Sequence, residues 1–421
     1  MRVSSGMIFD AGVSSINRQA ASLLHVQQQV ASGQRILTPS EDPVAAARAL
    51  EVSQSSDVVA QFKRNQDSAM SALGLQDAQL SSASDLLGRI RELAVQAGNT
   101  NLSTTARAGI ATELRSHFDE LVGIANATDG NGQKMFSGFM GDTTPFGGSV
   151  DNILAGNEIV YQGDDGQRKL QVSPSRFIEV SDSGNDVFKR IKNGNGYFTA
   201  DYAGGNAGTG VLTSGAVTNP AAWNATTSKN VDIRFTVALG VTTYDLVDTV
   251  SGTTLAAARA FQPGQPIVLS AQGAESPFDL GASVTISGAP ADGDSFSIAP
   301  SSSQSVFVTL ANLVGTLETP IGTPAANTKF LNDINVALTN IDQANQNVLR
   351  IRAGVGSRMN EVQSLGNLTD SLSLQYQKAL SNLQDVDYTK AVTDLTRNQI
   401  NLQAAQQSFA KISQLSLFNY I

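Results

Sequence analysis

A row of apolar residues seven apart marks each end of this chain: Phe9, Ile16, Leu23, Val30 and Leu37 at the start, Tyr388, Leu395, Leu402 and Phe409 at the finish. A seven-residue apolar repeat is the seam of an α-helix that packs along another helix. Ala391, Ala405 and Ile412 stand three places after Tyr388, Leu402 and Phe409, completing the C-terminal seam. The surrounding faces are Gln, Asn, Ser and Thr. Arg2, Asp10, Arg18 and Arg35 are the charged residues of the first 40 positions, and Lys390, Asp394, Arg397 and Lys411 those of the final stretch from Tyr388. Such helices are neither apolar all round nor coated in charge, so they are suited to being covered by something polar and uncharged. Matched rows at opposite ends of 421 residues predict that the termini return to each other as a helical pair, with everything between as a long excursion.

Apolar residues make up 41% of the chain, enough for ordinary cores in two or three domains. Acidic residues outnumber basic ones, 37 to 28, and no run of Lys or Arg occurs. That balance argues against a phosphate-tracking nucleic-acid binder and against anionic membrane surfaces. Cysteine is absent, which removes disulfides, thiolate catalysis and sulfur-ligated metals together. The opening V-S-S-G-M-I-F-D-A-G has no continuous apolar core of a signal peptide, and no window approaches 18 apolar residues. Neither general secretion nor membrane insertion is expected.

Between the ends, the pattern changes twice. Asp42-Pro43 is an N-cap and first-turn pair, and a helix is expected from Pro43 to about Ala97 on the row Leu73, Leu80, Leu87, Ala94. A third helix is expected over 103–127, and the turn dipeptides Asp129-Gly130 and Asn131-Gly132 predict a hairpin after it. Of the 37 glycines, 24 lie between 130 and 305, which marks an inserted domain. Its β-branched runs at 158–161, 169–172, 231–239, 242–247, 266–269, 283–286 and 295–298 read as strands. Helical periodicity returns after Ser305, with a short helix to 317 and a long one over about 328–384. The expected fold is mainly α with an inserted β domain. A terminal helical pair covers 1–42 and 385–421, a rod 43–140 and 306–384, and a β-rich insert 141–305.

Several segments resemble bacterial flagellins. S-G-Q-R-I at 32–36, E-D-P-V-A-A-A at 41–47 and G-R-I-R-E-L-A-V-Q-A at 88–97 are similar to motifs of the flagellin N-terminal arm. R-I-R-A-G-V-G-S-R-M-N-E-V at 350–362 and Y-T-K-A-V-T-D-L at 388–395 resemble motifs of the C-terminal arm, and the insert matches nothing. P-S-E-D-P in place of S-A-K-D-D-A, and the ending S-L-F-N-Y-I, depart from filament flagellin toward the hook-associated junction subunits of the superfamily. The resemblance implies a noncatalytic extracellular protein of the bacterial flagellum, exported through the flagellar type III route without a cleaved signal peptide. It implies self-association in a ring, with hook-associated protein 1, flagellin and an export chaperone as partners. The assembly seam is then Phe9, Ile16, Leu23, Val30, Leu37, Tyr388, Leu395, Leu402, Phe409 and Ile412. Arg89, Leu93 and Glu113 match positions through which flagellins meet the innate-immune receptor; ordinary helix surface and packing is the other reading of these three.

Other constellations carry less. His25 and His117 are read as structural or surface residues, and the acidic turns at 163–166 and 291–294 lack an EF-hand pattern, so no cofactor or metal is expected. No nucleophile elbow, P-loop or dinucleotide fingerprint gives an enzyme residues to stand on. Two alternatives stay open: a filament flagellin, or an adhesive role for the insert through Trp223 and Tyr244, where core packing is the competing account.

Overall fold

A computed structural model describes residues 5–414, and it divides the chain into two compact units, 1–66 with 364–421 and 67–363. The division falls inside two long helices, α2 (Pro43–Ala97) and α7 (Pro324–Gln384). Terminal helices flanking a β-rich middle are the observed architecture, as the periodicities predict.

In the first unit, α1 (Ser5–Ser32) packs along α8 (Tyr388–Gln414). Gly33, at φ +73°, ends α1 in the left-handed conformation that glycine adopts without cost. The connector after it pairs with the connector into α8: Arg35 N donates to Gln384 O at 2.7 Å, Val386 N to Gly33 O at 2.9 Å, and the Arg35 guanidinium to Leu383 O at 2.8 Å. Asp387, the residue just before α8, caps it, its carboxylate accepting from the backbone of Thr389 and Lys390, while Asp385 stands in the backbone bridge to Gln34. Asp42 caps α2 through Ala45 N at 3.0 Å.

In the second unit, α2 and α7 pack with α3 (Thr104–Ala125), and the short helix α4 (Val150–Leu154) lies against a further helix of this bundle. Leu73, Leu80, Leu87 and Ile90 are 2% exposed or less, so the row read from the sequence is the core side of α2. Arg352 pairs with Asp77 at 3.0 Å and Arg91 with Asp342 at 2.6 Å, fixing α7 against α2. The hairpin expected at the turn 129–132 is reduced to a single antiparallel bridge, Thr128 to Lys134, with Asp129 N donating to Gln133 O at 2.8 Å. Asp129 accepts from the backbone of Asn131 and Gln133, closing a tight turn. Met135 N still donates to Ala127 O at 3.0 Å, and the chain beyond turns inward, with Met135 and Phe136 buried, so the pairing goes no further.

In the insert a short antiparallel pairing of Phe146–Gly147 with Val160–Tyr161 is followed by the hairpin β1 (Lys169–Ser173) and β2 (Arg176–Glu179). Beyond it come β3 (Phe198–Tyr202), β4 (Val211–Leu212), the short helix α5 (Pro220–Ala225), β5 (Val231–Ala238), β6 (Val241–Asp248), β7 (Thr254–Ala260), β8 (Pro266–Ser270), β9 (Asp279–Ser287) and β10 (Ser295–Pro300). One sheet runs β7-β6-β5-β10-β3 and the other β8-β9-β4, and both close on a common core. Alternation along β5 shows why: Val231, Ile233 and Phe235 are buried and the residues between them are not. After the insert, α6 (Val306–Glu318) returns to the bundle, packing on α3 and α4. Phe307 on α6 meets Phe118 of α3 at 5.8 Å and Phe146 at 5.2 Å.

Candidate assembly interface

The seam predicted for the two ends is partly closed. Phe9 and Phe409 stack with ring centroids 5.1 Å apart, and Gly12 lies directly beneath the Phe409 ring. Ile16, Leu23, Val30, Leu37, Leu395 and Leu402 are half-buried, while Val26 and Ala391 are the fully covered positions. Tyr388 and Ile412 face outward, more than half exposed, so the row drawn from the sequence turns off the contact line at both ends of α8. Two helices lying side by side can cover only one stripe of each other, which leaves the rest of both surfaces open. Met7, Ile8, Phe9 and Leu24 on α1 and Val392 and Ile400 on α8 are further exposed apolar residues, and Val392, Thr393, Thr396, Arg397, Ile400 and Asn401 line a shallow groove. Sequence reading missed Val392 and Ile400. Their spacing of eight, on a second face of the same helix, was the available signal.

Arg89 and Glu113 meet at 2.9 Å on an exposed face of α2 and α3, and the paired carboxylate raises the Arg89 guanidinium further above its ordinary range. Leu93 does not join them: at 1% exposure it belongs to the interior of the bundle, so its side chain is unavailable to a receptor in the folded chain. Trp223 and Tyr244 are likewise interior, Trp223 stacked on Phe198 at 5.3 Å. The acidic turns are internal fasteners. Asp164 accepts from the backbone of Phe139 and Gly166, and Asp294 from that of Ala207, Gly208 and Ala291. Among the described residues no cluster of three or more metal-ligating side chains occurs, and no helix is long and apolar enough to cross a membrane.

Helical arms from both chain ends, a β insert between them and a half-covered apolar seam define a flagellin-like structural protein. The models of the bacterial flagellin N-terminal and C-terminal helical regions match residues 3–140 and 338–421. The flagellar hook-associated protein 3 of Salmonella typhimurium is 24% identical over 99% of both chains. A crystal structure of flagellar hook associated protein-3 from Legionella pneumophila is similar over 79% of this chain and 98% of that one, at 30% identity and a TM-score of 0.70. A second structure, described as the flagellar junction protein FlgL from the same species, is 29% identical over 80% of this chain and 100% of that one, with a TM-score of 0.68. This chain belongs to the flagellar hook-associated protein 3 family.

Proposed function

We propose that this chain is a structural subunit of the junction between flagellar hook and filament, joining a ring of its own copies through α1 and α8. The observation that carries this is the outer face of the helical pair, where Leu24, Val392 and Ile400 stand exposed among mostly uncharged polar side chains, the charged Arg397 of the groove being paired with Asp394. In a ring of identical copies every exposed charge meets its own repeat and is repelled, so a low-charge face suits that contact. The half-buried seam supports a terminal pair that orders fully only when neighbours cover it, coupling assembly to folding. Strong hydrogen-exchange protection of residues 5–30 and 390–415 in dilute monomer would sink that coupling. Hook-associated protein 1 and flagellin are the expected neighbours on the two sides, and a chaperone-guided flagellar export route is the expected path outward.

A deletion strain tests the assignment. Loss of motility with flagellin shed into the medium is the outcome for a junction subunit; long filaments grown from the purified protein alone would instead identify a filament flagellin. The innate-receptor reading now rests on Arg89 and Glu113 only. No response from reporter cells to the purified protein disposes of it.

A further inference from the structure

The insert is fastened to α7 by the ion pairs of Arg176 with Glu361 and Arg358 with Asp182, and beyond them by a run of uncharged side chains. Asn332 accepts from Leu212 N at 2.8 Å and donates to Gly210 O at 3.2 Å, and Asn335 donates to Leu212 O at 3.3 Å. One to two turns on, Asn340 accepts from Gly194 N at 2.8 Å. These amides hydrogen-bond the edge of β4 and the turn before β3 much as a neighbouring strand would. Amide side chains do not titrate, so any pH dependence of this ladder has to come from charged groups beside it.

Beside this ladder, a further part of the seam titrates. Asp201 and Tyr202 at the end of β3 and Asp333 on α7 line a single cleft, and Tyr202 donates to Asp333 Oδ1 at 2.5 Å. Lys329, one turn before Asp333, is the cation facing them, and Thr316 of α6 also reaches Asp333. The nearby Asp294 lines an adjoining pocket with Tyr202 and Lys329 but is saturated by three backbone N–H groups. The cleft therefore sets one ammonium against two carboxylates of the seam. With both ionised, one negative charge has no counterpart at the point where β3 meets α7.

We propose that Asp201, Tyr202 and Asp333 form a proton-operated clasp between insert and rod helix, tight when one carboxyl is protonated and loosened when both are charged. The titration direction agrees with the geometry. Asp201 is exposed as a residue, yet partial loss of hydration in the cleft first and the neighbouring Asp333 second push its carboxyl up, and burial pushes Asp333 up against the opposing influence of Tyr202, Lys329 and Thr316. Carboxyls raised in the folded state hold protons more readily there than in the unfolded chain, where Asp titrates near about 4. Their contribution is thus complete below that value and is lost as the pH climbs through the raised values. The phenol of Tyr202 is also pushed upward, chiefly by burial, and remains a donor throughout.

Hydrogen exchange on the full chain at about pH 4 and about pH 7.5, corrected for the intrinsic rate, tests this at the amides of Leu212 and Gly194. The expected result is several-fold greater protection at the acid value. In Asp201→Asn and in Asp333→Asn, protection at the higher pH should rise to the acid level and the pH dependence should vanish. Equal protection of the wild-type chain at the two pH values overturns the clasp, as does an undiminished pH dependence in the variants. Should Asp333→Asn fail to fold, Asp201→Asn, which keeps the Tyr202–Asp333 hydrogen bond, decides alone.

Discussion

At the scale of single residues, the sharpest constraints come from side chains whose neighbours leave no room or no choice. A Cβ on Gly12 would come within 2.5 Å of the Phe409 ring, so the aromatic contact that closes the far end of the terminal pair depends on the missing side chain. Gly12→Val should displace that ring; overpacking of this kind costs about 1–3 kcal/mol, and faster exchange at residues 8–16 and 402–410 would report it. Arg259 is the opposite case, a cation 8% exposed that is held by Glu275, by the carbonyls of Val268 and Ser270 and by the ring of Phe278. The guanidinium holds the Glu275 carboxyl down at about 2. A depressed carboxylate stabilises above its unfolded value of about 4.3 and loses that contribution as the pH falls toward about 2. Urea unfolding of the insert should accordingly weaken across that window, and Glu275→Gln should flatten the dependence. This sign is the reverse of the Asp201/Asp333 clasp, so the two can be separated in one titration. Leu93 shows what a motif match leaves out. It lies seven after Leu86, itself buried, and that row carried the packing signal while the match to a receptor motif did not.

At the scale of elements, the helices were legible because their period extends over many turns. The boundaries of α2, its capping Asp42 and the buried row from Leu73 all follow from local chemistry repeated often enough to be unambiguous. Short strands offer no such repetition. Thr254–Ala260 reads T-L-A-A-A-R-A, a helix-favouring composition, and becomes β7 because it pairs with β6 at the sheet edge and because Arg259 must reach Glu275. Its irregular register and the positive φ of Ala258 show the strand adapting to that place. The asparagine ladder was illegible for a related reason: buried Asn on a helix has meaning only once the backbone it satisfies is known. Asn332→Leu should leave the N–H of Leu212 and the carbonyl of Gly210 without partners, at about 1–3 kcal/mol for such groups. Lower urea stability of the insert, with α2 and α3 protection unchanged in hydrogen exchange, is the expected signature.

For the molecule as a whole, the exposed face of α8 is where folding and assembly can be told apart. Ile400 is 60% exposed and lines the shallow groove with Val392, so within one chain it contributes little burial. Replacing it should change the stability of the isolated protein by no more than about 0.5 kcal/mol, the usual range for surface substitutions. In a ring, the same side chain would be covered by a neighbour, and full burial of an isoleucine contributes about 1.5–3 kcal/mol at each repeat. Ile400→Glu removes that burial and gives every copy a like charge at the same contact, an effect that multiplies around the ring instead of averaging out. The variant should melt with the wild-type protein in circular dichroism yet leave cells non-motile, with flagellin lost to the medium. Val250→Glu, at a turn of the insert that is 71% exposed, adds the same charge away from the helical pair and should leave motility intact. Normal motility in the Ile400→Glu strain would remove the α8 face from the junction contact, and equal loss in both strains would point to added charge in general as the cause.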